Sequence, residues 1–195
     1  MREGQPKAEG EWRRRTRIAG RFLLAAVCAA GMGAAEQPRA HDEYEVKAAF
    51  LYTFAQFTEW PAEAFVGPGA PLIIGIVGED PFGRILDSTT KDKLIHGRPT
   101  FIRRLGRGES LASCHVVFVS SSERRQLPQI LAEMKGTSTL TLSEIDRFGY
   151  FGGIITFIME GPRVRFEINV KAAEQARLKI SSKLLKLAKI TGGAP

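Results

Sequence analysis

Apolar and polar residues follow one another in blocks, and these blocks predict strands interleaved with helices. Strands are predicted at 72–77, 99–105, 115–120 and 139–142, and the first of them is a continuous apolar run. Residues 154–159 and 164–170 alternate around Glu160-Gly161-Pro162-Arg163, which is the pattern of a hairpin. Helices are expected at 43–60, 81–90, 121–135 and 171–190. Strands alternating with helices predict one three-layer α/β domain. Its sheet is mainly parallel, with five or six strands, a C-terminal antiparallel hairpin and helices on both faces.

The first predicted helix carries more apolar surface than one buried face explains. Phe50, Phe54 and Phe57 form one stripe at helical spacing, and Tyr44, Ala48, Leu51 and Ala55 form a second. Such a helix packs either on a sheet and against a second surface, or wholly within its own core. On the first reading, the candidate surface for a partner consists of Tyr44, Phe50, Phe54, Phe57 and Trp60.

The N-terminus has the layout of a secretory signal peptide. Arginines from Arg13 to Arg21 precede an apolar run, 22–30, which closes in small residues up to Ala35. The run is shorter than the roughly 20 apolar residues of a membrane-spanning helix. An uncleaved anchor is the alternative. The expected divisions are a signal peptide at 1–35, a flexible mature N-terminus at 36–42, the α/β domain at 43–190 and a tail at 191–195.

Removal of the signal changes the charge and the cysteine count. Residues 1–35 hold 7 of the 28 Lys and Arg residues and 3 of the 21 Asp and Glu residues, which leaves 21 basic and 18 acidic residues and a net charge of +3. The high pI therefore gives little support for nucleic-acid binding. Only Cys114 remains, so no disulfide can form within the mature chain. Its apolar neighbours predict that this thiol is buried.

Motifs for catalysis or for metal binding are lacking. Gly78 and Gly83 flank a turn that has neither the Lys-Ser/Thr of a phosphate-binding loop nor a dinucleotide fingerprint. The three histidines lack metal-ligand spacing, and no Gly-x-Ser-x-Gly elbow is present. The sequence predicts no enzyme, no cofactor and no metal. A small-ligand receptor is the alternative, with its crevice at the strand ends near Gly78, Ser120 and Ser143.

Four blocks, in order, resemble the YfiR family of periplasmic proteins. They are Phe50–Pro61, Ile76–Gly83, Cys114–Phe118, and Gly152–Ile155 with Val164–Val170 leading into Ile180–Ala188. The resemblance covers roughly residues 43 to 190. It implies a periplasmic α/β domain that dimerises and has no catalytic residues. Some members carry disulfides that link redox state to repression, and this chain departs from them because Cys114 has no partner.

The resemblance also implies a function. We expect a periplasmic regulatory protein that represses a membrane-bound signalling protein, a YfiN-like diguanylate cyclase, through its periplasmic sensor region. Cyclic-di-GMP synthesis and biofilm formation would then be under its control. The expected partners are this inner-membrane sensor protein and a second copy of the chain.

Overall fold

An eight-stranded sheet organises the part of the chain that the computed structural model describes, residues 40–106 and 108–192. The strands are β1 Thr58–Glu59, β2 Leu72–Val77, β3 Leu94–Ile95, β4 Arg98–Leu105, β5 Val116–Val119, β6 Leu140–Ser143, β7 Ile155–Glu160, β8 Arg163–Asn169, β9 Lys179–Ile180 and β10 Lys189–Thr191. The sheet runs in the order β10-β8-β7-β6-β5-β2-β4-β3, and β1 pairs separately with β9.

Neighbouring strands from β7 through β6, β5 and β2 to β4 are parallel. β8 is antiparallel to β7 and parallel to β10, and β3 is antiparallel to β4. The α/β class is confirmed, but the sheet has eight strands rather than five or six. The hairpin β7–β8 forms as predicted, but it does not form the edge of the sheet because β10 lies outside it. β3 and β10 are too short to show an apolar period.

Five α-helices lie in the described residues: α1 Ala40–Gln56, α2 Arg84–Thr90, α3 Leu127–Glu133, α4 Val170–Gln175 and α5 Ser182–Leu185. β5 shows how the helices cover the sheet, since successive strand residues point to opposite faces. Val116 and Phe118 join the apolar cluster that contains residues of α1 and α2. Val117 and Val119 join the cluster that contains residues of α3.

Three predicted helix boundaries are corrected. α1 begins at Ala40, so the last three residues of the segment 36–42 are helical, and it ends at Gln56 because the chain then enters β1. α2 begins at Arg84 rather than at Pro81, because the Asp80 carboxylate accepts the Phe82 N–H at 2.8 Å in a turn. The segment 121–135 contains a 3₁₀ turn at Ser121–Glu123 and the shorter helix α3. The predicted signal peptide, 1–35, lies outside the described residues.

The predicted long helix 171–190 is wrong. α4 ends after six residues, and Arg177 follows in the left-handed region with φ 58°. The Leu178 N–H bonds to the Ala173 carbonyl and the Arg177 N–H to the Glu174 carbonyl, each at 2.9 Å, which is the Schellman pattern of a helix end. The chain then forms β9, α5 and β10 in place of a continuous helix.

Candidate functional site

Four apolar residues of helix α1 lie in the core, three from the second predicted stripe and one from the first. Ala48, Leu51, Phe54 and Ala55 are fully buried. The Phe54 ring lies 4.7 Å from that of Phe166 in β8 and 5.6 Å from that of Phe157 in β7. Phe54 therefore packs helix against hairpin and is not accessible to a partner, in contrast to its assignment from the sequence.

The start of α1 is tied to the loop after β6 by an ion-pair cluster. The Lys47 side chain is 3% exposed, and its ammonium pairs with Glu43 and, at 2.5 Å, with a carboxylate oxygen of Glu144. The Tyr44 hydroxyl donates to the same Glu144 carboxylate at 3.0 Å. Burial, followed by the charge of Glu144, raises the pKa of Tyr44, so its hydroxyl remains a donor. Tyr44 and Lys47 thus fix the position of α1.

The remaining two residues of the predicted surface lie at the other end of α1. The Trp60 indole N–H donates to the His115 carbonyl at 3.2 Å, and the residue is half-buried. The Phe57 side chain is 37% exposed. Of the five predicted residues, Phe50 and Phe57 are the most available for contact with a partner. Phe54 is buried, and Tyr44 and Trp60 have internal hydrogen bonds.

An accessible stripe nevertheless runs along α1. Val46, Phe50 and Thr53 follow helical spacing, and Phe57, directly after the last residue of α1, continues it because its N–H bonds to the Thr53 carbonyl at 3.0 Å. The side chain of Val46 is 44% exposed, whereas the Phe50 ring is half-buried at 5.3 Å from the Phe166 ring. Sequence reasoning missed Val46, although its position four residues before Phe50 was a usable signal.

Beside the first half of this stripe lies a groove of about 480 Å³, bounded by α1 and by the start of β8. We call it the α1–hairpin groove. Its apolar residues are Val46, Phe50, Pro162 and Val164, its acidic residues are Asp42 and Glu43, and its basic residues are Arg163 and Arg165. A groove that combines apolar residues with charged residues of both signs offers both desolvation and charge pairing to a protein partner.

The crevice proposed at the strand ends is only partly present. A cavity of about 550 Å³ there is lined by Gly78 and Ser122, but not by Ser120 or Ser143, which are buried. Gly78 has φ +89°, and a Cβ added there would lie 2.4 Å from the Ser122 hydroxyl oxygen. The Ser143 hydroxyl donates to the Val119 carbonyl at 2.7 Å and accepts the Ile145 N–H at 3.0 Å. The Ser143 hydroxyl is therefore occupied within the fold, and of the three predicted residues only Gly78 lines the cavity.

Cys114 and His115 have structural roles. Burial raises the pKa of the Cys114 thiol, which disfavours the reactive thiolate. The His115 ring accepts the Ile73 N–H at Nδ1 and donates from Nε2 to the Ala64 carbonyl at 3.0 Å, which requires a neutral imidazole. Burial also lowers the pKa of His115. Within residues 40–106 and 108–192, no cluster of three or more His, Cys, Asp or Glu residues could hold a metal ion.

None of the helices in the described part of the chain is both long and apolar enough to cross a bilayer. Among solved structures, the chain is similar to a conserved domain protein from Vibrio cholerae O1 biovar El Tor str. N16961. The TM-score is 0.46 at 13% identity, and the match covers 61% of this chain and 54% of that protein, about half its length. No curated protein matches the chain.

Family profiles give the decisive comparison. Residues 44–189 match the profile described as YfiR/HmsC-like, which covers well over half of the chain and nearly all of its described part. The resemblance noted from the sequence motifs is thereby confirmed. The chain belongs to the YfiR/HmsC-like family.

Proposed function

We propose that this protein is exported to the periplasm by a cleavable signal peptide and represses a membrane-bound diguanylate cyclase by binding its periplasmic sensor region. Release of the cyclase would raise cyclic-di-GMP and favour biofilm formation. Membership of a family of cyclase regulators supports this function. A homodimer is the proposed functional unit, as the family resemblance implies.

The observation that carries the proposal is the accessible apolar stripe of α1. Val46 and Phe57 are 44% and 37% exposed, and Val46 and the half-buried Phe50 line the α1–hairpin groove. Apolar side chains on a helix face gain from desolvation by about 25 cal/mol per Å² when a partner covers them. The stripe is accessible over three helical turns, which is long enough for a partner helix or strand to lie along it.

Rigid attachment of α1 favours the same role. The Lys47 ion pairs, the Tyr44 hydrogen bond and the buried Phe54 hold the helix in place without using its accessible stripe. A binding face that is already ordered loses little conformational entropy when a partner arrives. We therefore propose that the partner binds α1 as a preformed surface.

Binding to purified periplasmic regions of the organism's membrane diguanylate cyclases tests the proposal. The chain is purified from the periplasm, and Val46→Glu and Phe57→Glu are compared with Ala132→Glu, an exposed position on α3. We expect one cyclase region to bind the wild type and the Ala132→Glu variant. The α1 variants should bind about tenfold or more weakly, because each buries an unpaired charge at the interface.

Circular dichroism and thermal melting serve as the folding control for these variants. Both α1 positions are partly exposed, so native spectra are expected. Wild-type protein that binds none of the cyclase regions would contradict the function. Unchanged binding by both α1 variants would contradict the surface while leaving the function in place.

A further inference from the structure

The outer side of β4 is an open sheet edge. β4 pairs with β2 from Thr100 to Leu105, but on its other side β3 reaches only Arg98 and Pro99. Six consecutive residues of β4 therefore lack a strand neighbour on this side within the described chain. An open edge of this length is a template onto which another chain can add a strand.

The register shows which backbone groups face the opening. β2 gives the carbonyls of Ile73 and Val77 to the N–H groups of His115 and Ser120, on the β5 side, each at 2.9 Å. Ile74 and Ile76, which alternate with Ile73, Gly75 and Val77, must then bond to β4, since both backbone polar groups of a strand residue point to the same side. By the same alternation, the N–H and C=O groups of Thr100, Ile102 and Arg104 are directed at the open edge.

A wide groove follows this edge, with unused binding groups along it. It has a volume of about 1,100 Å³ and lies between α2 and residues 99–102. The side chains of Leu94 and Phe101 are 56% and 57% exposed. The Thr100 hydroxyl is buried and has no hydrogen-bond partner among the described residues. A buried hydroxyl without a partner costs free energy in the free protein.

The charges around the groove favour an acidic occupant. Arg104 already holds both Asp80 and Asp87, at 2.7 and 2.5 Å. Lys91, Asp92 and Lys93 also line the groove. Neither lysine forms an ion pair with a described carboxylate, and the Lys93 ammonium lies over the Tyr52 ring, 4.9 Å from its centroid. Arg84 adds a third cation on α2. A second copy would bring a second set of these cations, and like charges disfavour that pairing.

We infer that the open edge of β4 is a docking site for an extended, acidic segment of a partner protein. The segment adds a strand beside Thr100, Ile102 and Arg104, and its carboxylates face Lys91 and Lys93. Main-chain hydrogen bonds supply affinity in this mode of recognition, and side-chain contacts supply selectivity. The site is separate from the α1–hairpin groove, so either one can fail without deciding the other.

Two synthetic peptides provide the probe. Both alternate Val and Thr with a charged residue, which is Glu in one peptide and Lys in the other. Binding is measured by fluorescence anisotropy, and amide hydrogen exchange is measured on the whole exported protein. We expect the Glu peptide to bind about tenfold or more tightly than the Lys peptide, by charge complementarity. It should also slow exchange at the Ile102 and Arg104 amides.

Three variants identify the groups responsible. Lys91→Glu combined with Lys93→Glu should abolish the preference for the Glu peptide, and Lys135→Glu with Lys171→Glu, exposed positions elsewhere, should retain it. Thr100→Val should leave binding of the Glu peptide unchanged, because strand addition uses the Thr100 backbone, and should raise the melting temperature of the free protein, since it removes an unpaired hydroxyl.

Each remaining outcome overturns the inference. Equal affinity for the two peptides would contradict the claim that the occupant of the edge is acidic. Binding without protection of Ile102 and Arg104 would reject strand addition. Protection that grows with protein concentration in the absence of peptide would assign the edge to a second copy of the chain.

Discussion

Replacement of Phe54 and of Phe57 by Ala separates the core stripe of α1 from its accessible stripe. Phe54 is fully buried and its ring contacts those of Phe50, Phe157 and Phe166. Deletion of a fully buried phenyl ring leaves a cavity and costs about 3–5 kcal/mol of unfolding free energy. Phe57 keeps 37% of its surface exposed, and its replacement leaves a space open to water rather than a cavity.

The expected cost of Phe57→Ala is therefore smaller. Full burial of a Phe side chain contributes about 1.5–3 kcal/mol, and partial burial reduces this to about 1–2 kcal/mol. Urea denaturation followed by circular dichroism measures both values. For a domain of this size each kcal/mol lowers the melting temperature by about 2–4 °C, so Phe54→Ala should melt roughly 6–20 °C below the wild type.

In binding to the cyclase region, Phe57→Ala should lose more affinity than Phe54→Ala, which is the reverse of their order in stability. At a temperature at which both are folded, Phe54→Ala should keep most of its affinity, whereas Phe57→Ala should lose affinity because it removes contact area. A Phe54→Ala cost equal to or below that of Phe57→Ala would refute the division of α1 into a core stripe and an accessible stripe.

Two further predictions concern charged and titrating groups. Glu144→Ala should cost about 2–4 kcal/mol in urea denaturation, because it removes an acceptor shared by Lys47 and Tyr44 and breaks a largely buried ion pair. Glu144→Gln loses the charge but keeps an acceptor, so it should cost less than Glu144→Ala, and a Glu144→Gln cost near zero would contradict the ionic contribution. The pKa of His115 lies below its ordinary 6.5 in the folded state. The unfolded chain therefore takes up the proton first, and stability should fall as pH drops below about 6.5. His115→Gln should lose this component, and an unchanged pH profile would count against it.

The central strands and the hairpin could be predicted because their apolar runs are long. Leu72–Val77 and Ile155–Glu160 each span six residues, and apolar periodicity is a dependable signal at that length. The edge strands could not be predicted in this way, since β3 and β10 have two and three residues. Their pairing depends on tertiary contacts.

The C-terminal helix was mispredicted for a local reason. Apolar spacing continues past Arg177, but a left-handed residue ends α4 there, and such a conformation is rarely adopted by Arg. Gly at this position would have predicted the break.

Only part of the candidate surface could be predicted from the sequence. The apolar excess of α1 was visible, but the buried position of Phe54 depends on β7 and β8, more than 100 residues away along the chain. The same is true of the α1–hairpin groove, whose basic rim comes from Arg163 and Arg165. Helical period alone cannot tell which of two stripes faces the sheet.

Cyclase activity in reconstituted membranes tests the central claim most directly. The membrane cyclase identified by binding is placed in proteoliposomes with its sensor region outward, and cyclic-di-GMP made in the lumen is measured after the purified protein is added outside. The account predicts that wild-type protein lowers synthesis and that Val46→Glu does not. Synthesis that is unchanged by saturating wild-type protein would contradict the claim of repression.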